Sequence, residues 1–308
     1  MEDTGRQERQ PGSPRRLRVT LGLLAALTVL LAAGAVAWRA AAPSQAVLVG
    51  AGDIAECDSD GDEATAALLD DVDGTVFTTG DNAYPDGSAE DFAECYEPGW
   101  GRHKDRTRPA VGNHEYYTDD PSAYFEYFGE AAGDPGEGWY SYDLAGWHVV
   151  VLNSECGEVG GCEPGSPQQR WLRADLAASD ARCTVAVWHH PRFSSGEYGD
   201  DDYYEPLWRA LYEHDADVVL NGHEHFYERL AALTPDGRRD DERGIRQFTV
   251  GTGGGELRDF AEVRPHSQAR ISGTYGVLRL RLSPDRYAWR FVPTDDDAPT
   301  DVGTDRCH

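Results

Sequence analysis

Five short motifs carry residues able to do chemistry, and each stands where an apolar run ends. Gly222-His223-Glu224-His225 follows Ala216-Asp217-Val218-Val219-Leu220 and the turn pair Asn221-Gly222, so two imidazoles stand at the carboxyl end of a buried strand. Alone, two histidines one residue apart on a loop are more often surface or hydrogen-bonded groups than ligands. Four further runs end in the same way: with Asp53, with Asp81 and Tyr84, with Asn113 and His114, and with His189 and His190. Taken singly, Gly-Asp after a strand is commonly an Asx turn and Asn-His a turn pair. Their joint occurrence at strand ends reverses that reading, because sites in open sheets form beyond the carboxyl ends of strands. The donors are oxygen and nitrogen without thiolate, which suits iron, manganese or zinc and argues against copper(I) or a sulfur cluster. Asp53, Asp81, Tyr84, Asn113, His189, His223 and His225 are too many ligands for one ion. Two ions sharing a carboxylate fit better, and such pairs are a recurrent device for phosphoryl transfer.

The elements that must position these motifs alternate early between strands and helices. Strand-like runs occupy residues 46–50, 75–79, 108–111, 184–188 and 247–251. Helical spacing runs over 63–72, 167–178 and 205–214. The second of these should bury Trp171, Leu172 and Leu176, and the third Leu207, Trp208 and Leu211. Runs 139–144 and 147–152 flank Ala145-Gly146 as a hairpin, and 276–282 with 287–292 form another, turned at Ser283-Pro284-Asp285. The pattern predicts an α/β fold, a sandwich of mixed sheets with helices outside, built as one catalytic domain over residues 46–308. Asp295-Asp296-Asp297 reads as a solvated surface segment.

With 28 basic against 55 acidic residues the net charge is −27, and Lys104 is the only lysine. Such a surface repels polyanions, so nucleic-acid binding is disfavoured, and an anionic substrate needs a locally positive site such as a metal cluster. Residues 1–18 are polar and basic and read as a short cytoplasmic tail. Residues 19–38 carry no charge and follow Arg15, Arg16 and Arg18. About 20 such residues span a bilayer as a helix, and the basic flank argues for a signal anchor with a cytoplasmic N-terminus. Small-residue patterns at Ala35-Val36-Ala37 and Ala40-Ala41-Ala42 leave cleavage as a signal peptide open. A linker follows at 39–45. On either reading the catalytic domain is exported, anchored to the membrane or secreted. Six cysteines fit that oxidising compartment, and of their fifteen possible pairings we expect Cys57–Cys95, Cys156–Cys162 and Cys183–Cys307.

Gly52-Asp53, Gly80-Asp81-Asn82-Ala83-Tyr84, Gly112-Asn113-His114-Glu115, His189 after Val187-Trp188, and Gly222-His223-Glu224-His225 resemble, in order, the five blocks of calcineurin-like metallophosphoesterases. Within that superfamily the chain looks like the purple acid phosphatase branch. Ala55 stands where other members carry a histidine, and Tyr84 lies where that branch keeps an iron-binding tyrosinate. His225-Phe226-Tyr227-Glu228-Arg229 also resembles that branch. The resemblance implies a four-layer αββα sandwich of two mixed sheets. It implies Fe(III) on Asp53, Tyr84 and His225, a divalent Fe, Zn or Mn on Asn113, His189 and His223, and Asp81 bridging the two. The first block follows the linker closely, so the additional β-sandwich domain of the plant form is not expected.

The implied function is hydrolysis of phosphate monoesters, on a small phosphorylated substrate, by attack of a metal-bound hydroxide. His114 is the candidate to protonate the leaving oxygen. His190 and Arg192 are candidates to bind the phosphate, and the polar loop 192–204 is expected to rim the pocket. Hydrolysis of phosphodiesters or nucleotides on the same centre is the close rival. A catalytically idle metal-binding surface module is the alternative of another class.

Overall fold

The chain opens one β-sheet, builds a second, and returns to finish the first. The computed structural model describes residues 1–2, 45–118 and 120–308. The expected membrane-spanning run 19–38 lies outside the described residues, as does nearly all of the tail and the linker. Among the described residues no helix is long and apolar enough to cross a membrane.

Strands β1 (Ala46–Ala51), β2 (Thr75–Thr78) and β3 (Thr107–Arg108) pair in parallel. Next come β4 (Tyr140–Leu144), β5 (Trp147–Val151), β6 (Cys183–Val187), β7 (Val218–Asn221), β8 (Tyr227–Leu233), β9 (Ile245–Val250) and β10 (Ser267–Ile271). They form a seven-stranded sheet in the order β10-β8-β9-β7-β6-β5-β4. Strands β11 (Gly276–Ser283), β12 (Arg286–Pro293) and β13 (Val302–Arg306) then complete the six-stranded sheet β13-β12-β11-β1-β2-β3. Both sheets are mixed as expected. β1 is parallel to β2 but antiparallel to β11, and β5, β6, β7 and β9 are parallel between antiparallel flanks.

The longer α-helices are α1 (Gly61–Asp70), α2 (Ser122–Phe128), α3 (Pro167–Ala178) and α4 (Glu205–Glu213). The pleat sends alternate residues of the second sheet into two cores. Val149, Val151, Val185, Val187, Val218 and Leu220 join Phe77, Leu278, Leu280 and Phe291 of the first sheet. Val150, Ala186 and Val219 face the other way, onto Leu172 and Leu176 of α3 and Leu207, Trp208 and Leu211 of α4. Service to two cores is why these strands read as unbroken apolar runs. Full burial of Leu207 or Leu211 contributes roughly 1.5–3 kcal/mol each. Helix α3 starts where the sequence signals it, with Ser166 accepting from the Gln169 amide and Pro167 in the first turn.

The structure departs from expectation at the edges. Trp171 is only half-buried and packs at the flank of its core, near Trp139. Strands β8, β10 and β13 were not foreseen. The polar run Ser267-Gln268-Ala269-Arg270 of β10 and the mostly exposed β13 lie at sheet edges, where no two-sided burial imposes an apolar pattern. The hairpin of β4 and β5 turns through Ala145 and Gly146, both at positive φ, a conformation that suits the glycine and not the alanine. Cys57–Cys95, Cys156–Cys162 and Cys183–Cys307 are all bonded, and Asp295, Asp296 and Asp297 are exposed.

Candidate metal centre

The loops that leave β1, β2, β3, β6 and β7 at their carboxyl ends bring the five motifs together. Three of the positions they hold, Asp53, Asp81 and His223, have φ of 57°, 50° and 68°. L-residues adopt this left-handed region reluctantly, so each is strained and is held by its neighbours. Asp53 N donates to Gly80 O at 3.0 Å, Ile54 N to Asp81 O at 2.9 Å, and Gly222 N to His189 O at 2.9 Å. Gly112 and Gly222 have to be glycine for close approach: a Cβ on either would collide with the carboxylate of Asp81 or Asp53.

Two groups of donor atoms result, and they meet at Asp81. In the first, Tyr84 Oη lies 3.2 Å from Asp53 Oδ1, 3.3 Å from Asp81 Oδ2 and 3.3 Å from His225 Nε2. In the second, His189 Nε2 lies 3.0 Å from Asn113 Oδ1, 3.2 Å from Asp81 Oδ2 and 3.2 Å from His223 Nδ1. Metal–ligand bonds of about 2.0–2.2 Å place ligand atoms roughly 2.9–3.5 Å apart around one ion, so both groups have the spacing of a coordination shell. The donor chemistry agrees. His189 Nδ1 faces the Thr79 carbonyl at 2.9 Å, which fixes N–H on that nitrogen and turns the Nε2 lone pair toward the Asn113 and Asp81 oxygens. Converging lone pairs need a cation. The residues present therefore fit two metal ions with a shared carboxylate.

Outer contacts fix the orientation of each ligand. His225 Nδ1 faces the Glu256 carbonyl at 2.5 Å, freeing Nε2 for the ion. Asn113 donates its amide N–H to Tyr117 Oη at 2.8 Å, so its oxygen is the atom turned to His189. Glu115, fully buried, accepts the backbone N–H of Asp81, Asn82, Ala83 and Gly112 and so clamps the loop that carries the shared carboxylate. Burial and the Asp81 charge push the Glu115 carboxyl up to about 7. Burial acts to raise the Asp53 carboxyl too, but the charge and hydrogen bond of His225 outweigh it and hold Asp53 below the usual range. Burial likewise acts to lower His189, and the Asp81 carboxylate overcomes it, raising the imidazole to about 10. Protons thus balance the carboxylates where cations would otherwise do so, and metal uptake must displace them.

The remaining sequence candidates divide. His114 lies at the mouth, its ring against Tyr84 and Tyr117, with Nδ1 on the Pro85 carbonyl at 2.5 Å and Nε2 3.7 Å from Asp81. His190 borders the second group, 4.2 Å from the His223 ring, with Nδ1 at 2.9 Å from Ser154 Oγ. Burial and the neighbouring His189 push His190 down to about 3, so it is a neutral hydrogen-bonding group and not an acid. Arg192 does not join them. Its side chain is buried against Phe193, bonds Asp202 at 2.7 Å, and lines a separate cavity with Leu230, Leu233 and Arg264. Glu224 points away from the ligands, although 223–225 are a bend beyond the end of β7 and not strand, and takes Ser194 Oγ and the Tyr198 amide. That bond sets Tyr198, which the 192–204 loop does bring to the rim, 4.5 Å from the His223 ring. Arg258 was missed altogether. It lines a cavity of about 380 Å³ with Tyr84, His114 and His225, and no motif marks it in the sequence.

Comparison with known proteins agrees with this geometry. The family model for calcineurin-like phosphoesterases matches residues 47–227. Purple acid phosphatase 18 of Arabidopsis thaliana is 28% identical over 181 residues, 56% of this chain and 40% of that protein. Purple acid phosphatase 21 of the same plant is 31% identical over 235 residues, 67% and 52% of the two chains. The chain thus spans about half the length of the curated relatives it matches. The solved purple acid phosphatase PPD1 of yellow lupin shares the fold, with a TM-score of 0.67 and 18% identity over 85% of this chain and 53% of that one. With the five motifs inside the matched span and their ligands assembled, this chain belongs to the calcineurin-like phosphoesterase family.

Proposed function

We propose that this chain is an exported phosphatase that hydrolyses phosphate monoesters at a dinuclear metal centre. The observation that carries the reading is Asp81, whose carboxylate stands in both donor groups at once. Two cations bound there would acidify a nucleophilic water and neutralise charge developing on the phosphoryl oxygens. Asp53, Tyr84 and His225, an oxygen-rich set, suit Fe(III), and Asn113, His189 and His223 suit a divalent Fe, Zn or Mn. His114 would deliver a proton to the leaving oxygen from Nε2, because Nδ1 is committed to Pro85. His190 would donate to a phosphate oxygen while Ser154 fixes its ring. Tyr117 keeps the Asn113 oxygen on the ion side. Three disulfides and the basic-flanked apolar run 19–38 support an extracytoplasmic domain, anchored or released.

The test is hydrolysis of p-nitrophenyl phosphate and of bis-p-nitrophenyl phosphate by the purified chain, before and after chelation. The monoester should be the better substrate, and activity should vanish with the metal and return on its replacement. Preference for the bis ester would make the chain a phosphodiesterase. Undiminished activity in the metal-free protein would refute the centre, and a metal-loaded chain inert to both esters would leave the idle surface module.

A further inference from the structure

We propose that Arg258 is a substrate-binding residue that donates guanidinium N–H groups to the oxygens of the phosphate ester held at the centre. The proposal rests on the phosphatase reading and deepens it. Arg258 follows Gly253-Gly254-Gly255, a run bonded to the first metal loop: Gly253 N donates to Gly52 O at 2.9 Å and Gly255 N to Asp53 O at 2.9 Å. Its own amide donates to the carbonyl of His225 at 3.0 Å. The backbone of Arg258 is thus tied to two ligand-bearing segments, and its position relative to the ions is set.

The side chain reaches from the His225 side of the mouth toward the His223 side. Its Cζ lies 5.8 Å from the centre of the Tyr198 ring, and that ring lies 4.5 Å from His223. Nη1 is buried without a hydrogen-bond partner among the described residues. The guanidinium makes no ion pair there either, unlike Arg229, held by Asp301, or Arg246, held by Asp305. Arg258 as a whole is half-buried, and its Nη1, a donor without an acceptor among the described residues, borders the cavity that also contains His114, the proton donor. The cavity's other charged side chains are the carboxylates Glu56, Asp58, Asp91 and Glu256, so Arg258 is the one Arg or Lys on its wall among the described residues. A dianionic phosphate approaching a surface of net charge −27 needs such a fixed cation, and a guanidinium fork matches two phosphoryl oxygens.

The experiment compares the metal-loaded wild type with Arg258→Ala and Arg258→Lys. Calorimetry measures inorganic phosphate binding, and steady-state kinetics gives KM and kcat on p-nitrophenyl phosphate, with metal content and melting midpoint recorded. The Ala variant should keep its metals and fold yet bind phosphate roughly 10- to 100-fold more weakly, with KM raised in parallel and part of the loss restored in Lys. Unchanged phosphate affinity and KM in an otherwise active Arg258→Ala protein overturns the assignment of Arg258 alone. Metal loss in both variants overturns it too, by making Arg258 a support of the metal loop. A wild type that binds phosphate through Arg258 yet hydrolyses no ester refutes the phosphatase reading and keeps the anion site.

Discussion

The two halves of the centre are built from opposite materials. Asp53, Tyr84 and His225 are buried, and two of the three offer anionic oxygen once the phenol gives up its proton. Asn113, His189 and His223 are neutral ligands, and Asn113 and His223 are half-exposed at the mouth. The buried half is held by backbone, through Gly80 O, the Glu256 carbonyl and the strained φ of Asp53. The open half has backbone support too, Thr79 O on His189 and the strained φ of His223, but adds aromatic side chains, Tyr117 on Asn113 and Tyr198 on His223. In the proposed centre, charge and burial would favour the first half for the more highly charged ion, and the second half is the one open to solvent. Only Asp81 belongs to both.

Changes at that junction have the largest expected effect. Asp81→Ala should empty both halves and lower kcat/KM by on the order of 10³-fold or more, since a metal's several kcal/mol of charge stabilisation is lost. Elemental analysis would check the loss, and retention of one full-occupancy ion would break the picture of a shared ligand. His114→Ala comes next. It should lower kcat by roughly 10²–10⁴-fold with both ions in place, and supplying a substrate whose leaving group needs no proton should shrink the defect.

Smaller changes should tell the halves apart. Tyr117→Phe frees the Asn113 amide to rotate, so the divalent ion should bind roughly 10- to 100-fold more weakly while the Tyr84 site keeps its ion. Equal loss of both ions would mean that the halves are not independent. The mildest effect concerns protons. The His189 imidazole is raised to about 10 in the metal-free protein, chiefly because the Asp81 charge overcomes burial. A raised histidine contributes stability in full below its unfolded value of about 6.5, and that contribution disappears as pH rises through about 10. The metal-free chain should therefore lose melting temperature between pH 7 and 10, and the metal-loaded chain should lose much less over the same range. Parallel curves would show that no proton is displaced at His189.

The ligands were legible in the sequence because each motif follows a run of apolar residues, with a glycine at the turn in every case but His189, a local signal that survives without knowledge of the fold. Direction in space was not. Arg192 stands close to His189 in the chain, yet the segment after Pro191 carries it to Asp202 and away from the ions. Arg258 lies far from any motif, and only long-range bonds to Gly52, Asp53 and His225 bring its loop to the site. Glu115 was visible beside Asn113, but its task, accepting four backbone donors, depends on the path of the 80–83 loop. In the sheets the buried parallel strands announced themselves, whereas β10 and β13, polar and at the edges, did not.

The central claim is that Asp81 joins two ions of different kind, one of them on Tyr84. Metal analysis of the purified chain together with its visible absorption tests it most directly, with Tyr84→Phe as the comparison. Two ions per chain and a violet tyrosinate-to-iron band that disappears in Tyr84→Phe is the expected result. A colourless wild type of full activity, or one ion per chain at saturation, would contradict it.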